Sequence, residues 1–142
     1  MDNRNYATRS PHWTRPGKEG QVISVWCYTN TDSVELIIND KSLGFRQFNV
    51  STLHLSWNVP YSPGLLSLEA LEGGTQVLTK EVYTAKDAYA LEAVSIEEGE
   101  KLIDLTVQVI DSGGVVVPHA TDEFKFEVEG PLALIATDNG DP

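Results

Sequence analysis

The sequence predicts an all-β chain made of two tandem immunoglobulin-like antiparallel β-sandwich domains, the second of them incomplete. Apolar and polar residues alternate with a period of two in short runs, and turn residues such as glycine, proline and asparagine separate these runs. No run shows the 3.6-residue period of an amphipathic helix. The charge also changes abruptly along the 142 residues, which indicates a boundary between two units.

The first unit is predicted from alternation between residues 21 and 84. Six or seven short strands fit this stretch, with turns at Asn39-Asp40-Lys41 and at Gly73-Gly74. This density of strands and turns is typical of an antiparallel sandwich. Residues 1–20 are polar, contain Pro11, Pro16, Gly17 and Gly20, and show no period, so we expect an extended lead-in.

The second unit repeats the pattern with fewer strands. We predict strands at 91–96, 105–109, 115–117, 124–128 and 132–137, with turns at 97–100 and 112–114. A sandwich of this kind usually has about seven strands. Residues 85–142 are therefore expected to form an incomplete sandwich.

The charge supports the same division. Ten Lys and Arg stand against 21 Asp and Glu, a formal net charge of −11. Residues 1–83 carry 7 basic and 8 acidic side chains, whereas residues 84–142 carry 3 and 13, so we place the boundary at 82–87. Strong negative charge argues against nucleic acid and against an anionic membrane surface as partners.

No metal, cofactor or nucleophile site is predicted. The histidines His12, His54 and His119 are scattered, and none pairs at the i, i+4 spacing of ligands on one helix face. Cys27 lies on the more apolar side of its predicted strand and is most simply a core residue. We find no phosphate loop and no dinucleotide-binding motif.

Two acidic groups have a simpler and a more specific interpretation. The first group is Glu97, Glu98 and Glu100. These residues could supply paired carboxylates, but a solvated turn is the favoured interpretation. The second group is Asp138, Asn139 and Asp141. These residues could bind Ca²⁺ through their side-chain oxygens, but an Asx turn is the favoured interpretation.

Aromatic residues are the candidate ligand contacts. Trp26 and Tyr28 lie on the strand face opposite Ile23 and Val25, where they could stack on sugar rings or pack against a neighbouring domain. Trp13, in the lead-in, is a third candidate for carbohydrate contact. Trp57 alternates with apolar residues and is expected in the core.

The order of several motifs resembles a known arrangement. The first group is PHW (11–13), GKEG (17–20), VWCYTN (25–30), VELIINDKSLG (34–44) and VPYSPG (59–64). The second is VYTAKD (82–87), LTVQVIDSGGVVVPHA (105–120), FEVEGP (126–131) and TDNGDP (137–142). The chain is similar to the β-sandwich domains that follow the catalytic barrel in bacterial glycoside hydrolase family 2 enzymes, chiefly β-galactosidases.

The resemblance implies a parent enzyme that hydrolyses terminal β-galactosides with retention, using two barrel glutamates about 5–5.5 Å apart. No residue here matches those glutamates, so no catalytic residue is assigned, and we expect the chain to be an inactive C-terminal fragment. Its expected partner is the catalytic barrel. A periplasmic or secreted location follows from the role of such enzymes, although this chain shows no signal peptide.

Three functional hypotheses remain. The chain could be a structural scaffold for the barrel, an accessory carbohydrate-binding module that uses Trp13, Trp26 or Tyr28, or a tandem immunoglobulin-like adhesin with no enzyme attached. We also expect self-association through an unpaired strand edge of the second unit. The charge of that unit opposes this association, and added salt would screen the repulsion.

Overall fold

The computed structural model of the chain describes residues 12–99 and 102–138. Eight β-strands and no helix occur among these residues, and every strand pair is antiparallel. The all-β antiparallel fold class is therefore confirmed. Consistent with this, the described part of the chain holds no helix long and apolar enough to cross a membrane. Most of the predicted lead-in, together with Glu100, Asn139 and Asp141, lies outside the described residues.

The first six strands form two sheets that face each other. Their bounds are β1 Val22–Cys27, β2 Ser33–Ile38, β3 Lys41–Gln47, β4 Leu55–Pro60, β5 Leu65–Glu72 and β6 Thr75–Tyr83. One sheet has the order β3-β2-β5-β6, and the other is the pair β1-β4. Antiparallel neighbours joined by short turns are what the alternation and turn residues of this stretch predict.

A single apolar core fills the space between these sheets. Along β2 and β4, buried residues alternate strictly with less buried ones, as a strand with one buried face requires. Trp57 is in this core, as predicted, and its indole N–H donates to the Gly44 carbonyl at 3.3 Å. The buried apolar residues are Trp13, Val34, Leu36, Ile38, Leu55, Trp57, Val59, Tyr61, Leu66 and Ala70.

Two tight turns are confirmed where the sequence predicts them. Asn39 and Asp40 connect β2 to β3 with φ angles of 49° and 63°, and Gly73 and Gly74 connect β5 to β6 with 57° and 80°. Two consecutive positive φ angles suit the right-handed twist of a hairpin. The residue types match, because glycine and asparagine adopt this conformation at low cost.

The second unit contains fewer strands than predicted. The strands β7 Ala90–Glu98 and β8 Ile103–Ile110 form a two-stranded sheet, and Val116 adds one isolated bridge to Ile110. The predicted strands at 124–128 and 132–137 are wrong, because both segments are irregular in the structure. Alternation predicts which face would be buried, but a strand also needs a neighbour for its backbone hydrogen bonds, and the described residues provide none there.

The turn predicted at 97–100 also begins later than expected. β7 continues through Glu97 and Glu98, which pair with Asp104 and Ile103. These glutamates therefore belong to the end of a strand. Earlier in the strand, a one-residue register shift between Ala93 and Ser95 marks a β-bulge at Val94.

Candidate functional site

Trp26 and Tyr28 lie together at one end of the first sandwich, where they form an aromatic cluster with His54. The rings of Trp26 and His54 are stacked, with centroids 4.2 Å apart and planes 2° from parallel. Tyr28 lies 6.2 Å from the same imidazole at 51°. The β1–β4 register brings them together, since Cys27 pairs with Leu55 and the outward residues on either side become neighbours.

The aromatic cluster is partly open to solvent. Trp26 is 38% exposed and Tyr28 is 59% exposed. The imidazole of His54 covers one face of the Trp26 indole and closes that face to a sugar ring. The predicted outward position of both aromatics is confirmed, whereas their contact with carbohydrate stays a prediction.

His54 was missed as a member of this cluster. The sequence places it on the polar side of its strand, but it does not show that β4 is the neighbour of β1. That pairing joins residues about 30 positions apart, so no local pattern could predict the stack.

A shallow groove of about 440 Å³ opens where the loop after Tyr28 meets the end of β3 and the β5–β6 turn. Polar side chains dominate its lining, and Phe48 is its one aromatic member. Ligand pockets of this volume are usually enclosed and lined mainly by apolar and aromatic side chains, and this open, polar groove shares only the volume with them. The lining residues are Asn30, Thr31, Asp32, Ser33, Gln47, Phe48 and Gly74.

Trp13 is not a surface residue, which corrects the prediction that it contacts sugar. It is 3% exposed and packs edge-on against Tyr61, with ring centroids 4.9 Å apart. Its indole N–H donates to the Ser62 carbonyl at 3.0 Å. A tryptophan with its ring in the core and its N–H paired has no ring face for a ligand. The end of the lead-in is therefore part of the first sandwich.

Backbone and hydroxyl groups connect this end of the lead-in to the segment that follows β6. The Thr84 hydroxyl donates to the Trp13 carbonyl at 2.6 Å, and the Ala85 N–H donates to the Thr14 hydroxyl at 2.9 Å. Thr14 is buried, so its hydroxyl needs such a partner. We call the set Trp13, Thr14, Thr84, Ala85, Lys86 and Asp111 the junction network.

Asp111 completes the junction network from the second unit. It is 3% exposed, and its carboxylate accepts the N–H of Lys86 at 2.8 Å, of Gly113 at 2.8 Å and of Val115 at 2.9 Å. The Lys86 N–H is the largest cause of a lowered Asp111 pKa, and the Val115 N–H is the next. One ionised side chain thus holds both the turn after β8 and the segment before β7.

The sequence reasoning did not single out Asp111. The run Asp-Ser-Gly-Gly carries a usable signal, because an aspartate before glycine often accepts the N–H two residues on. That signal predicts the bond to Gly113. It does not predict the bond to Lys86, which lies 25 positions earlier.

His12 and His119 meet beside the junction network although they are far apart in sequence. Their rings make an edge contact with centroids 5.3 Å apart. Burial is the main cause of a lowered His12 pKa, and the positive charge of Arg15 adds to it. No group of three or more His, Cys, Asp or Glu within residues 12–99 and 102–138 is placed to hold a metal ion.

Cys27 is half-buried and packs against the core, as predicted. Burial raises the pKa of its thiol. A raised pKa lowers the thiolate fraction at neutral pH, which disfavours nucleophilic chemistry.

Comparison with known protein families places the chain among glycoside hydrolase domains. Residues 20–78 match a domain family of unknown function, DUF4982. Residues 90–142 match glycoside hydrolase family 2 C-terminal domain 5. The chain belongs to the C-terminal region of family 2 glycoside hydrolases.

Individual relatives agree with this assignment. A β-galactosidase of Bacteroides ovatus is 35% identical over 138 residues, which cover 93% of this chain and 16% of that enzyme. A protein of Formosa agariphila, provisionally named a β-glucuronidase, is 30% identical over 140 residues, which cover 93% of this chain and 14% of the relative. This chain therefore spans about a sixth of the curated relatives it matches.

A solved structure supports the same fold. The crystal structure of a β-glycosidase from Bacteroides vulgatus matches with a TM-score of 0.68 and 34% identity, over 78% of this chain and 15% of that one. The prediction of a family 2 C-terminal region is therefore confirmed.

Proposed function

We propose that this chain is a non-catalytic structural region of a family 2 glycoside hydrolase and acts as a scaffold for the catalytic barrel. The junction network is the observation that carries the proposal. It ties the end of the lead-in to Thr84 and Ala85 in the segment after β6, and the next residue of that segment, Lys86, donates to Asp111 in the second unit. These hydrogen bonds hold the connected segments in fixed positions relative to one another. A spacer between a catalytic barrel and later domains requires such fixed positions.

We propose that the catalytic residues of the parent enzyme lie outside this chain. A retaining glycosidase needs one carboxylate as nucleophile and a second as acid and base. We assign neither role to any residue here and propose that the chain by itself does not hydrolyse glycosides. A periplasmic or secreted location is part of the same proposal. The family assignment favours this hypothesis over a tandem adhesin without an enzyme.

For the substrate of the parent we propose a terminal β-galactoside. The name of the Bacteroides ovatus relative supports this choice, while that of the Formosa agariphila relative indicates a β-glucuronide. The two can be separated by assaying the parent enzyme with a chromogenic β-galactoside and the matching β-glucuronide. Faster turnover of the galactoside is expected, and selective turnover of the glucuronide would reverse the assignment.

A second candidate function is carbohydrate binding by the aromatic cluster. The exposed ring of Tyr28 and the indole of Trp26 support it, and the polar groove beyond Tyr28 could add hydrogen bonds. Amide and carboxylate side chains at its rim, such as Asn30 and Asp32, can pair with sugar hydroxyls.

Titration of the chain with galactose, lactose and plant oligosaccharides separates the two functions. The scaffold proposal predicts no saturable shift of the Trp26 indole N–H signal in NMR spectra. Saturable binding that is lost in Trp26→Ala would favour the binding module instead. Phe45→Ala is the matched control, because Phe45 is a 54% exposed aromatic elsewhere on the same sandwich.

A further inference from the structure

The contact between His12 and His119 joins the end of the lead-in to the second unit. The two imidazole rings meet edge-on, with centroids 5.3 Å apart and planes 89° apart. His12 directly precedes the buried Trp13, whereas His119 follows the bridge that Val116 makes to the end of β8. We call His12 and His119 the histidine pair. Because its members come from distant segments, their contact exists only while the lead-in lies against the second unit.

A hydrogen bond to His12 requires one of its ring nitrogens to be unprotonated. The Thr14 backbone N–H donates to His12 Nδ1 at 3.2 Å. A backbone amide can only donate here, so Nδ1 accepts this bond only when it carries no proton. Protonation of Nδ1 would set two N–H groups against each other and deprive the Thr14 amide of this acceptor. The observed geometry is therefore that of a neutral imidazole.

The surroundings of His12 favour the same neutral form. Burial lowers the pKa of His12, and the charge of Arg15 and the neighbouring His119 lower it further. Arg15, from the lead-in, and His119, from the second unit, are the titratable side chains of the described residues that act on this imidazole, and neither is an acid. The Nε of Arg15 is buried without a hydrogen-bond partner in the described part of the chain. A protonated His12 would therefore face a permanent cation and a second imidazole, with no carboxylate among these neighbours to offset the charge.

Thr14 connects the histidine pair to the junction network. This threonine is buried, its N–H donates to His12, and its hydroxyl accepts the Ala85 N–H at 2.9 Å. Trp13, between the two, lies in the core of the first sandwich, so the lead-in has an anchor that does not depend on the histidines. Loss of the ring contact is therefore expected to free the second unit from His12 without unfolding the first sandwich.

We propose that the histidine pair is a proton-sensitive contact, which holds the lead-in against the second unit while both imidazoles are neutral and releases it when they become protonated. Histidine suits this role because its charge changes near neutral pH. The role rests on the proposed scaffold function, because it regulates the same connection between the units.

The direction of the pH dependence follows from the lowered pKa of His12. The open contact binds a proton at the ordinary value of 6.5, whereas the closed contact binds it only at lower pH. The stabilising effect of the closed contact is therefore complete above pH 6.5 and is lost as the pH falls from there through the folded pKa. The bond between Lys86 and Asp111 should outlast this change, because the pKa of Asp111 is lowered from an already acidic value.

An NMR titration of the 142-residue chain from about pH 7.5 to about pH 5 tests the proposal. Nuclear Overhauser contacts between the two imidazole rings should be present at the upper pH and lost at the lower one. Protection of the Thr14 amide, relative to an unstructured peptide at the same pH, should fall by at least about tenfold, while Lys86 keeps its protection. Ring contacts that persist at the lower pH would overturn the proposal. Lack of protection at Ala85 and Lys86 already at the upper pH would instead contradict the scaffold function.

Substitutions separate the charge of the histidine pair from its packing. The double variant His12→Phe/His119→Phe keeps two rings that cannot be protonated, so its ring contact should be the same at both pH values. Arg15→Gln covers the case in which the two phenylalanines do not pack, because removal of this cation should raise the midpoint of the His12 titration toward 6.5. His54→Phe is the matched control, since His54 stacks on Trp26 in the aromatic cluster, and it should change neither readout. A pH-dependent loss of contact in the double variant, or an unchanged midpoint in Arg15→Gln, would overturn the proposal.

Discussion

Replacement of Trp13 by alanine is expected to lower the free energy of unfolding of the first sandwich by about 3–5 kcal/mol. Trp13 is 3% exposed, and its ring packs edge-on against Tyr61. The substitution removes this packing, leaves a cavity and deprives the Ser62 carbonyl of its donor. Since a domain is stable by only about 5–15 kcal/mol, the loss is a large part of the total.

Two further substitutions show where this energy comes from. Trp13→Phe keeps a ring in the core but removes the N–H, so an intermediate loss of about 1–2 kcal/mol is expected. Trp26→Ala is the matched control, because Trp26 is 38% exposed, and its loss should stay near 1 kcal/mol.

Urea unfolding followed by circular dichroism measures all three variants without relying on tryptophan fluorescence. Similar small losses for Trp13→Ala and Trp26→Ala would mean that the end of the lead-in is not part of the core. It would then be free to contact a ligand, as the sequence alone predicts.

Asp111→Asn is expected to release the Lys86 amide from the second unit and to speed its hydrogen exchange by about tenfold or more. The carboxylate accepts three backbone N–H groups, two through Oδ1 and one, from Lys86, through Oδ2. An asparagine can keep the two Oδ1 bonds, but its NH₂ group then faces the Lys86 N–H, donor against donor. Ala85, held by Thr14, should be affected less.

The same residue predicts a pH dependence. The pKa of Asp111 is lowered in the folded chain, so its stabilising effect is complete above the unfolded value of about 3.9. The effect is lost as the pH falls through the lower, folded pKa. Protection of Lys86 should therefore persist at pH 4 and be lost only as the pH falls further, through the lowered folded pKa of Asp111.

The Asp111→Asn variant should lack this acid step. Asp104→Asn removes the same charge from an exposed position on β8 and should keep the step. An identical acid step in Asp111→Asn and in the parent chain would show that other carboxylates, and not Asp111, hold the segment.

The first sandwich was largely predictable because its residues carry local signals. The alternation of β2 and β4 marks the buried face, and the Asn39-Asp40 and Gly73-Gly74 pairs mark turns that need positive φ. These signals depend only on neighbours a few residues away. They can therefore be interpreted even when the order of the strands in the sheet is unknown.

The burial of Trp13 could not be predicted, because it depends on contacts with Tyr61 and Ser62 nearly 50 positions later. The stack of Trp26 on His54 and the contact of His12 with His119 have the same cause. In each case the side chains meet only after strands pair or segments dock. A lead-in with no period gives no sign of which residue will enter a core.

The second unit shows the opposite failure. Phe124, Phe126 and Val128 alternate as well as any residues of the first sandwich, yet their segment is irregular. Alternation indicates which side of a segment would be buried if the segment were a strand. Whether the strand forms depends on a neighbouring backbone that can pair with it.

Amide exchange at Ala85 and Lys86 tests most directly the claim that the lead-in and the two units are tied into one structural piece. Neither residue lies in a strand, and among the described residues the Ala85 amide donates to Thr14 and the Lys86 amide to Asp111. We expect both amides of the parent chain to exchange at pH 7 far more slowly than those of an unstructured peptide. Exchange of both at the unstructured rate, while the amides of β5 remain protected, would contradict the claim.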